Sequence, residues 1–481
     1  MTRQIRRIII AVCVIAVLTT ALIVLINLPP KKIIQGTSSS LQSAPPNVVS
    51  LDVTKVSTVH VTNALGQYTI KNIGDSKWSI DIFNNVPLND NTISSAVGAI
   101  STLNSTELVD GNASNLEQFG LTKPLATVEV NGTDNTHYVI KIGNKAPLDQ
   151  GYYAAKDGES KVYIVESLVG DDFTASPNSY ILLTLTQVDP AKLTSLSKFV
   201  FSGSARTTPF ELNIDATSVA AAASAASSAS QETPLFNIVT PVKYNANTPS
   251  MDKLTASLQA INAGGIESFD VTDKSLENFG LKNPGYVFSY TYDKQETTLL
   301  FGKTFTKDGV DNVYVMYKGR NLVYSVATTA VPFYNWQLMD VTPSLLLVVN
   351  IADVKAATIT AGTNSWKFDI DNSGTEMKIT NNTKVLDLPN FRKYWMNIIS
   401  FVPVNTATKP QNGEKILSIK YDYTDTSKAS DVVDFYKIDA YKAFYSINGS
   451  GFYYVKTSVL DNIIKISPDI IAGKTILEPN T

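Results

Sequence analysis

A long internal repeat constrains this chain more than any other feature. Residues 115–124 contain Leu116-Glu117-Gln118-Phe119-Gly120-Leu121, and residues 275–284 contain Leu276-Glu277-Asn278-Phe279-Gly280-Leu281, 160 positions later. Solenoid proteins repeat every 20–50 residues or so, which is much shorter than this spacing. The spacing instead matches tandem domains of ordinary size.

A second pattern extends the repeat to the C-terminal part of the chain. It consists of an aromatic residue, a glycine five positions later and a tyrosine five positions after that, and such a glycine between apolar segments is typical of a β-hairpin. The pattern occurs three times: Tyr153, Gly158 and Tyr163; Tyr314, Gly319 and Tyr324; Phe444, Gly449 and Tyr454. We therefore predict three repeats, although the third lacks the Phe-Gly-Leu segment.

These patterns predict an α+β protein, strand-rich and mostly antiparallel, with three tandem repeats of a β-meander plus one amphipathic helix. One transmembrane helix is expected before them. The predicted units are an N-terminal anchor (1–32), a stalk (33–47), repeat domain 1 (48–185), repeat domain 2 (186–345, with an Ala/Ser-rich insertion at 216–230) and a degenerate repeat domain 3 (346–475).

Each repeat is expected to contain one helix, because apolar residues recur there at helical spacing. The first helix is capped by Asn89 or Asp90, and the second begins after Ser250. The apolar faces are Ile93, Ala96, Val97, Ile100 and Leu103 in the first helix; Leu254, Leu258 and Ile261 in the second; and Phe391, Trp395, Ile398 and Ile399 in the third.

The N-terminal segment predicts attachment to a membrane. Residues Ile8 to Leu28 carry no charge, and a helix of that length spans roughly 30 Å, the thickness of a bilayer core. Three arginines precede this run, which favours a cytoplasmic N-terminus and an extracytoplasmic body. A cleaved signal peptide is the alternative. Cys13 lies within the run and is the sole cysteine of the chain, so the body has no disulfide, as is common in bacterial envelope proteins.

The charge of the chain argues against nucleic acid as a partner. Lysine and arginine number 40 against 43 aspartates and glutamates, for a net charge of −3. Nucleic-acid-binding proteins usually carry a basic surface. The polar positions are instead rich in Ser, Thr and Asn.

No motif in the sequence assigns a catalytic, cofactor-binding or metal-ligating residue. His60 and His137 stand alone in predicted strands, without a second ligand at metal-binding spacing. The stretch from Asp369 to Gly374 imitates the start of a calcium loop, but its twelfth position is Thr380 rather than a glutamate, so we predict a hairpin turn. In the repeated Phe-Gly-Leu segment we expect Gly120 to end a short helix in the left-handed conformation.

Paired tyrosines provide the candidate interface residues, namely Tyr152, Tyr153, Tyr453 and Tyr454. Adjacent residues of a strand point to opposite faces of the sheet. One member of each pair is therefore expected to meet solvent, where it can contact a protein or stack on a sugar.

Together these features resemble the bacterial domain-of-unknown-function family 4340. The resemblance rests on the N-terminal apolar run, on the segments Leu116–Pro124 and Leu276–Pro284, and on the hairpins that follow them. It implies an envelope protein, often encoded beside ABC-transporter components, and it supplies no catalytic residues to transfer.

The sequence thus favours a membrane-anchored, extracytoplasmic, non-enzymatic binding or scaffold protein with a protein partner in the cell envelope, such as a transporter component. Two alternatives remain. One is a carbohydrate- or cell-wall-binding surface protein that uses exposed tyrosines. The other is a hydrolase of envelope polymers that uses a pair of carboxylates 5–10 Å or so apart.

Overall fold

The computed structural model describes residues 47–214, 236–269 and 271–479. The expected anchor, residues 33–46 of the expected stalk, Cys13 and the Ala/Ser-rich insertion lie outside these residues. Among the described residues, no helix is long and apolar enough to cross a membrane.

Three large antiparallel sheets make up most of the described chain, so the strand-rich antiparallel class is confirmed. The first sheet has the strands β1 (Val56–Asn63), β2 (Gly66–Gly74), β3 (Lys77–Ile80), β4 (Ser105–Asp110), β5 (Ala126–Gly132), β6 (His137–Lys145), β7 (Tyr152–Lys156) and β8 (Val162–Val165). A two-stranded sheet joins β9 (Thr184–Thr186) to β14 (Ile261–Asn262).

The second sheet has the strands β10 (Leu196–Ser202), β11 (Phe210–Ile214), β12 (Phe236–Thr240), β13 (Tyr244–Asn245), β15 (Gly265–Phe269), β16 (Tyr286–Tyr292), β17 (Gln295–Lys307), β18 (Val310–Tyr317) and β19 (Leu322–Ala327). The third has β20 (Val354–Ala361), β21 (Asn364–Asp371), β22 (Lys378–Asn381), β23 (Lys384–Val385), β24 (Asn405–Thr406), β25 (Lys415–Tyr423), β26 (Asp431–Lys437), β27 (Lys442–Ile447) and β28 (Ser450–Lys456).

One strand order underlies all three sheets. In the first it is β3-β2-β1-β5-β6-β7-β8-β4, and the third reads β23-β22-β21-β20-β25-β26-β27-β28-β24. In each sheet the chain first forms a meander of strands. It then passes through a helix to a strand at the far edge of the sheet, and its next strand pairs with the first strand of the meander. The sequence did not predict the edge strand, because β4, β15 and β24 are short and lack clear alternation.

The helices are α1 (Asp90–Ser101), α2 (Ser167–Thr174), α3 (Thr248–Gln259), α4 (Asp273–Phe279), α5 (Leu338–Val341), α6 (Leu388–Ile399) and α7 (Thr457–Ala472). Asn89 caps α1 by accepting a hydrogen bond from the backbone N–H of Thr92, as predicted. The predictions for Leu103, Ser250 and Ile261 were wrong. The helix α1 ends at Ser101, before Leu103, and α3 begins at Thr248, capped by Asn247, and ends at Gln259. Ile261 lies in β14, which pairs with β9. Over the few residues that follow Ser257, the apolar pattern is too short to distinguish a helix from a strand. The pairing of Ile261 with Thr186 of β9 makes this segment a strand.

The glycine of each repeated hairpin lies in a turn, as predicted. Gly158 has a φ of +80°, and Gly319 and Gly449 each have a φ of +83°. Backbones with such φ values favour glycine, since a Cβ atom would approach the neighbouring carbonyl oxygen. The hairpins β7–β8, β18–β19 and β27–β28 are therefore encoded locally.

The buried apolar residues form two main cores rather than three. Residues from Val49 to Tyr180 build the core of the first sheet, whereas one continuous core joins the second sheet to the third. Tyr453 helps to connect them: its hydroxyl lies 3.0 Å from that of Thr342, and its ring centroid lies 5.3 Å from that of Tyr244. The second and third sheets are thus one packed body.

This division predicts two unfolding units. A protein of residues 48–185 should unfold cooperatively on its own, because it carries its entire core. Trp78, buried against α1 with its indole N–H donated to Ser94, is the natural fluorescence probe. In the whole body, urea should produce one transition for residues 48–185 and one shared transition for the rest. A separate transition for the third sheet would contradict the shared core.

Candidate functional site

The structure separates the four candidate tyrosines into two buried and two partly exposed residues. Tyr152 is 4% exposed and Tyr453 is 0% exposed, and both face a core. Tyr152 donates its hydroxyl to Asp171, and burial raises its pKa. These two tyrosines are therefore not available to a partner, because their side of the strand packs into a core. Tyr153 and Tyr454 face the other side of their sheets and are partly exposed.

The Phe-Gly-Leu segments cover the outer faces of the first two sheets. Phe119 packs edge-on against Tyr153, with 4.9 Å between ring centroids, and Phe279 packs in the same way against Tyr314 at 4.7 Å. Gly120 adopts the left-handed conformation at the end of a short 3-10 helix, with a φ of +72°. The structural role predicted for this segment is confirmed.

A glycine on the neighbouring strand makes room for each segment. A Cβ atom added to Gly143 would lie 2.2 Å from the carbonyl oxygen of Phe119, and one added to Gly302 would lie 2.1 Å from that of Phe279. In the third sheet the residue at this position is Tyr436, which pairs with Phe444. The loss of the Phe-Gly-Leu segment there accompanies the loss of the glycine that admits it.

In the third sheet, residues 408–413, which follow the edge strand β24, lie against the outer face instead. The backbone N–H of Ala407 donates to Phe452, and the ammonium nitrogen of Lys409 lies 4.1 Å from the ring centroid of Tyr436. Phe444, the counterpart of Tyr153 and Tyr314 in the hairpin pattern, is 2% exposed. This shorter covering segment leaves space beside it, toward the edge of the second sheet.

A cleft of about 710 Å³ occupies that space. One wall comes from residues 239–244 at the edge of the second sheet, and the other from the tip of the β27–β28 hairpin together with residues 407–409. Because the two sheets share a core, the walls are held in a fixed relation. This cleft is the candidate functional site, and its central side chains are Val242, Lys243, Tyr244, Lys409, Phe444 and Phe452.

The chemistry of the cleft is basic and aromatic. Lys243 and Lys409 bring two positive charges to a chain whose net charge is negative. Val242 and Phe452 supply partly exposed apolar surface between them. The hairpin tip adds backbone groups from Gly449 to Gly451. Such a surface can bind an acidic segment with an apolar side chain through ammonium–carboxylate contacts and apolar burial.

The sequence did not indicate the cleft residues. Lys243 and Lys409 are separated by more than 160 positions, and neither belongs to a motif. The available signal was indirect: Thr408-Lys409-Pro410 repeats Thr122-Lys123-Pro124, but without the Phe-Gly-Leu segment before it. Residues that meet only through the packing of two sheets leave no periodic pattern along the chain.

The two histidines lie apart, on strands β1 and β6, which are separated by β5. His60 is half-buried in β1, with its Nδ1 3.2 Å from the hydroxyl of Thr69, whereas His137 is exposed at the start of β6 beside Asn131. Among the described residues, no three His, Cys, Asp or Glu side chains are grouped as they would be around a metal ion.

The calcium-like stretch is a hairpin turn, as predicted. It connects β21 to β22, and the carboxylate of Asp371 accepts hydrogen bonds from the hydroxyl and the backbone N–H of Ser373. These bonds hold the pKa of Asp371 below its usual value. The carboxylate is thus engaged within its own turn.

One buried charge was not foreseen from the sequence. Arg206 is 5% exposed; it donates from Nε to the carbonyl oxygen of Ser202 and from Nη2 to that of Tyr334. Burial lowers its pKa to about 10. Three rings lie 5.2–5.4 Å from the guanidinium carbon: Phe201, Phe210 and Tyr286. This arginine fastens the β10–β11 loop to the segment that follows β19.

Comparison with known proteins identifies one family. The model of a family described as Domain of unknown function (DUF4340) matches residues 78–232 and 237–413, so that two successive matches cover more than half of the chain. No curated protein and no solved structure matches this chain.

Proposed function

The chain belongs to the DUF4340 family, and from this premise we propose that it is a membrane-anchored, extracytoplasmic, non-enzymatic binding or scaffold protein. Its binding site is the cleft between the second and third sheets. The partner is a protein of the cell envelope, and a component of an ABC-transporter-type complex fits this role.

The observation that carries the proposal is the construction of the cleft. Its walls come from two sheets with a common core, so the site is preorganised and a ligand need not order it. Its side chains offer two ammonium groups and apolar surface, which suits an acidic segment of a protein. A site of this kind recognises a surface and requires no reacting group.

The position of the tyrosines favours a protein partner over a carbohydrate. A sugar stacks on a ring face that is open to solvent. Tyr153 is packed against Phe119, and the ammonium of Lys442 lies 5.4 Å from the ring centroid of Tyr454. Both rings therefore already have a neighbour within the chain, which reduces the ring surface left for a sugar.

Localisation is proposed from the sequence alone. The uncharged run from Ile8 to Leu28, preceded by three arginines, would anchor the chain with its body outside the cytoplasm. Protease added to intact, wall-stripped cells should then digest the body. Complete protection of the body would contradict this orientation.

Site-specific crosslinking tests the binding role of the cleft. A photo-crosslinking amino acid at Thr408, on the cleft wall, should form an adduct with one discrete membrane-associated protein in native cells. The same amino acid at Thr122, the equivalent exposed position on the first sheet, is the matched control and should not form that adduct.

Charge reversal provides the second part of the test. The pair Lys243→Glu and Lys409→Glu should reduce the Thr408 adduct roughly tenfold or more, because like charges would then oppose an acidic segment. Both lysines are exposed, so the free energy of unfolding should change by less than about 0.5 kcal/mol. The pair Lys123→Glu and Lys294→Glu is the control. Equal adducts from both crosslinker positions, or undiminished adducts after charge reversal, would overturn the proposal.

A further inference from the structure

Four connections at one end of the first sheet each carry an exposed leucine. They are the β1–β2 turn, the segment before β5, the β6–β7 loop and the start of α2 after β8. The exposed fractions are 62% for Leu65, 43% for Leu125, 92% for Leu148 and 59% for Leu168. Single exposed leucines are ordinary in soluble domains, but four at one end of one sheet form an apolar surface.

Strand register places the four leucines at the same end. Strand residues that lie directly opposite one another form rows across the sheet. The rows nearest this end consist of the pairs Asn63↔Ala126, Ala126↔Ile142, Lys145↔Tyr152, Tyr152↔Val165 and Ser105↔Val165. Each leucine lies one to three residues beyond a member of these rows.

The turns at the opposite end of the same sheet are polar. They are formed by Asp75-Ser76, Asp134-Asn135 and Asp157-Gly158, all of them exposed. The exposed apolar side chain near them is Ile73, at 58%. The second sheet, which has the same strand order, places Asp308-Gly309 at its β17–β18 turn, the counterpart of the β6–β7 loop. The fold therefore does not require leucines at this end.

Leu148 occupies an unfavourable backbone conformation. Its φ is +59° and that of Asp149 is +54°. Comparable turns in this chain use Asp-Ser, Asp-Lys and Asn-Gly, whose first residues tolerate left-handed φ values better than leucine does. Because Leu148 is strained and also 92% exposed, its side chain is not stabilised by packing within the chain. This combination indicates that Leu148 contacts a surface outside the chain.

The chain enters the first sheet at this same end. Asn47, the first residue described, forms a bridge with Asn104, which immediately precedes Ser105 in the outer row. The residues that lead back to the uncharged run Ile8–Leu28 thus join the sheet beside the leucines. An attached membrane would lie within reach of this end, since 18 residues between Leu28 and Asn47 limit the separation to about 60 Å.

We propose that the leucine-bearing end of the first sheet rests on the lipid surface next to the anchor and inserts Leu148 and Leu168 into it; this rests on the anchoring proposed above. Charged residues near this end have both signs: Lys123, Lys145, Asp149 and Glu166. The contact is therefore apolar rather than electrostatic, and it sets the orientation of the body relative to the membrane.

Fluorescence quenching in vesicles tests the proposal. The full chain with Cys13→Ser is reconstituted in phosphatidylcholine–phosphatidylglycerol vesicles, with an environment-sensitive dye on Gln150→Cys, in the leucine loop, or on Ser160→Cys, at the opposite end. Lipids with a spin label in their acyl chains should quench the dye at 150 by about twofold or more and leave the dye at 160 unchanged. Salt should have little effect.

A second variant separates the side chains from the fold. Leu148→Asn together with Leu168→Asn should abolish the quenching at 150. The urea midpoint should not fall, because asparagine tolerates the left-handed conformation at position 148 and because Leu168 is 59% exposed in the first turn of α2. Absence of quenching at 150 in vesicle-bound wild type would overturn the inference and leave the anchor intact. A blue-shifted dye without lipid quenching would indicate a protein contact, such as a second copy of the chain, and would also overturn it. Failure of the chain to float with vesicles would overturn the anchor and the inference together.

Discussion

Tyr453→Ala should lower the free energy of unfolding of the second and third sheets by about 3–5 kcal/mol. Tyr454→Ala, at the next position of the same strand, should lower it by less than about 1 kcal/mol. The contrast follows from the two faces of β28. Tyr453 is completely buried where the cores of the two sheets meet, whereas Tyr454 is partly exposed on the outer face.

The large loss has two sources. Removing the ring leaves a cavity between Tyr244, in the second sheet, and Thr342, which directly follows α5. Cavities in a core cost free energy in addition to the lost transfer of the side chain from water. Because the ring bridges two sheets, the variant should also weaken their coupling.

Urea unfolding of the purified body, followed by tryptophan fluorescence, measures both effects. Tyr453→Phe keeps the ring and removes only the hydroxyl, so it should cost about 1 kcal/mol and distinguishes the hydrogen bond from the cavity. Similar losses for Tyr453→Ala and Tyr454→Ala would show that the junction does not depend on this side chain.

Gly143→Ala and Gly302→Ala should each destabilise their sheet by about 1–3 kcal/mol, despite adding a single carbon. The new Cβ atoms would lie 2.2 Å and 2.1 Å from the backbone carbonyl oxygens of Phe119 and Phe279. Backbone atoms cannot rotate away as a flexible side chain can, so the Phe-Gly-Leu segment must shift from the sheet. The ring of Tyr153 would then lose its contact with Phe119, and the ring of Tyr314 its contact with Phe279.

Gly98→Ala provides the matched control for this effect. Gly98 lies within α1 and has no heavy atom within 4 Å of an added Cβ. Alanine favours a helix over glycine by about 1 kcal/mol, so this variant should raise the midpoint of thermal unfolding. If Gly143→Ala and Gly98→Ala change stability in the same direction, the close approach of the Phe-Gly-Leu segment does not restrict the size of the side chain at position 143.

Much of the local structure followed from the sequence. Alternation of apolar residues, Asn89 as a helix cap and the hairpin glycines predicted the hairpins and one amphipathic helix in each repeat (α1, α3 and α6), with small errors at their ends. The helices α2, α5 and α7 were not predicted, so one helix per repeat was too few. These signals are local, because a cap or a turn is decided by a few neighbouring backbone groups. The family resemblance was confirmed for the same reason, since its motifs are turn and strand residues.

The candidate site did not follow from the sequence in the same way. Alternation shows that Tyr152 and Tyr153 point in opposite directions, but not which of them faces the core. The edge strands β4, β15 and β24 were missed because their place in a sheet depends on partners distant in the chain. Lys243 and Lys409 were missed because they line one cleft only through the packing of two sheets.

The sequence by itself determined that the chain repeats, that it is strand-rich and antiparallel, and where its hairpin turns and the helices α1, α3 and α6 lie. These properties arise from backbone preferences and apolar periodicity over short stretches. Only the tertiary structure decided which tyrosines are buried, that the second and third sheets share one core, and that a basic cleft opens where the third sheet lacks the Phe-Gly-Leu segment. Such features depend on contacts between residues more than a hundred positions apart, and no local pattern records them.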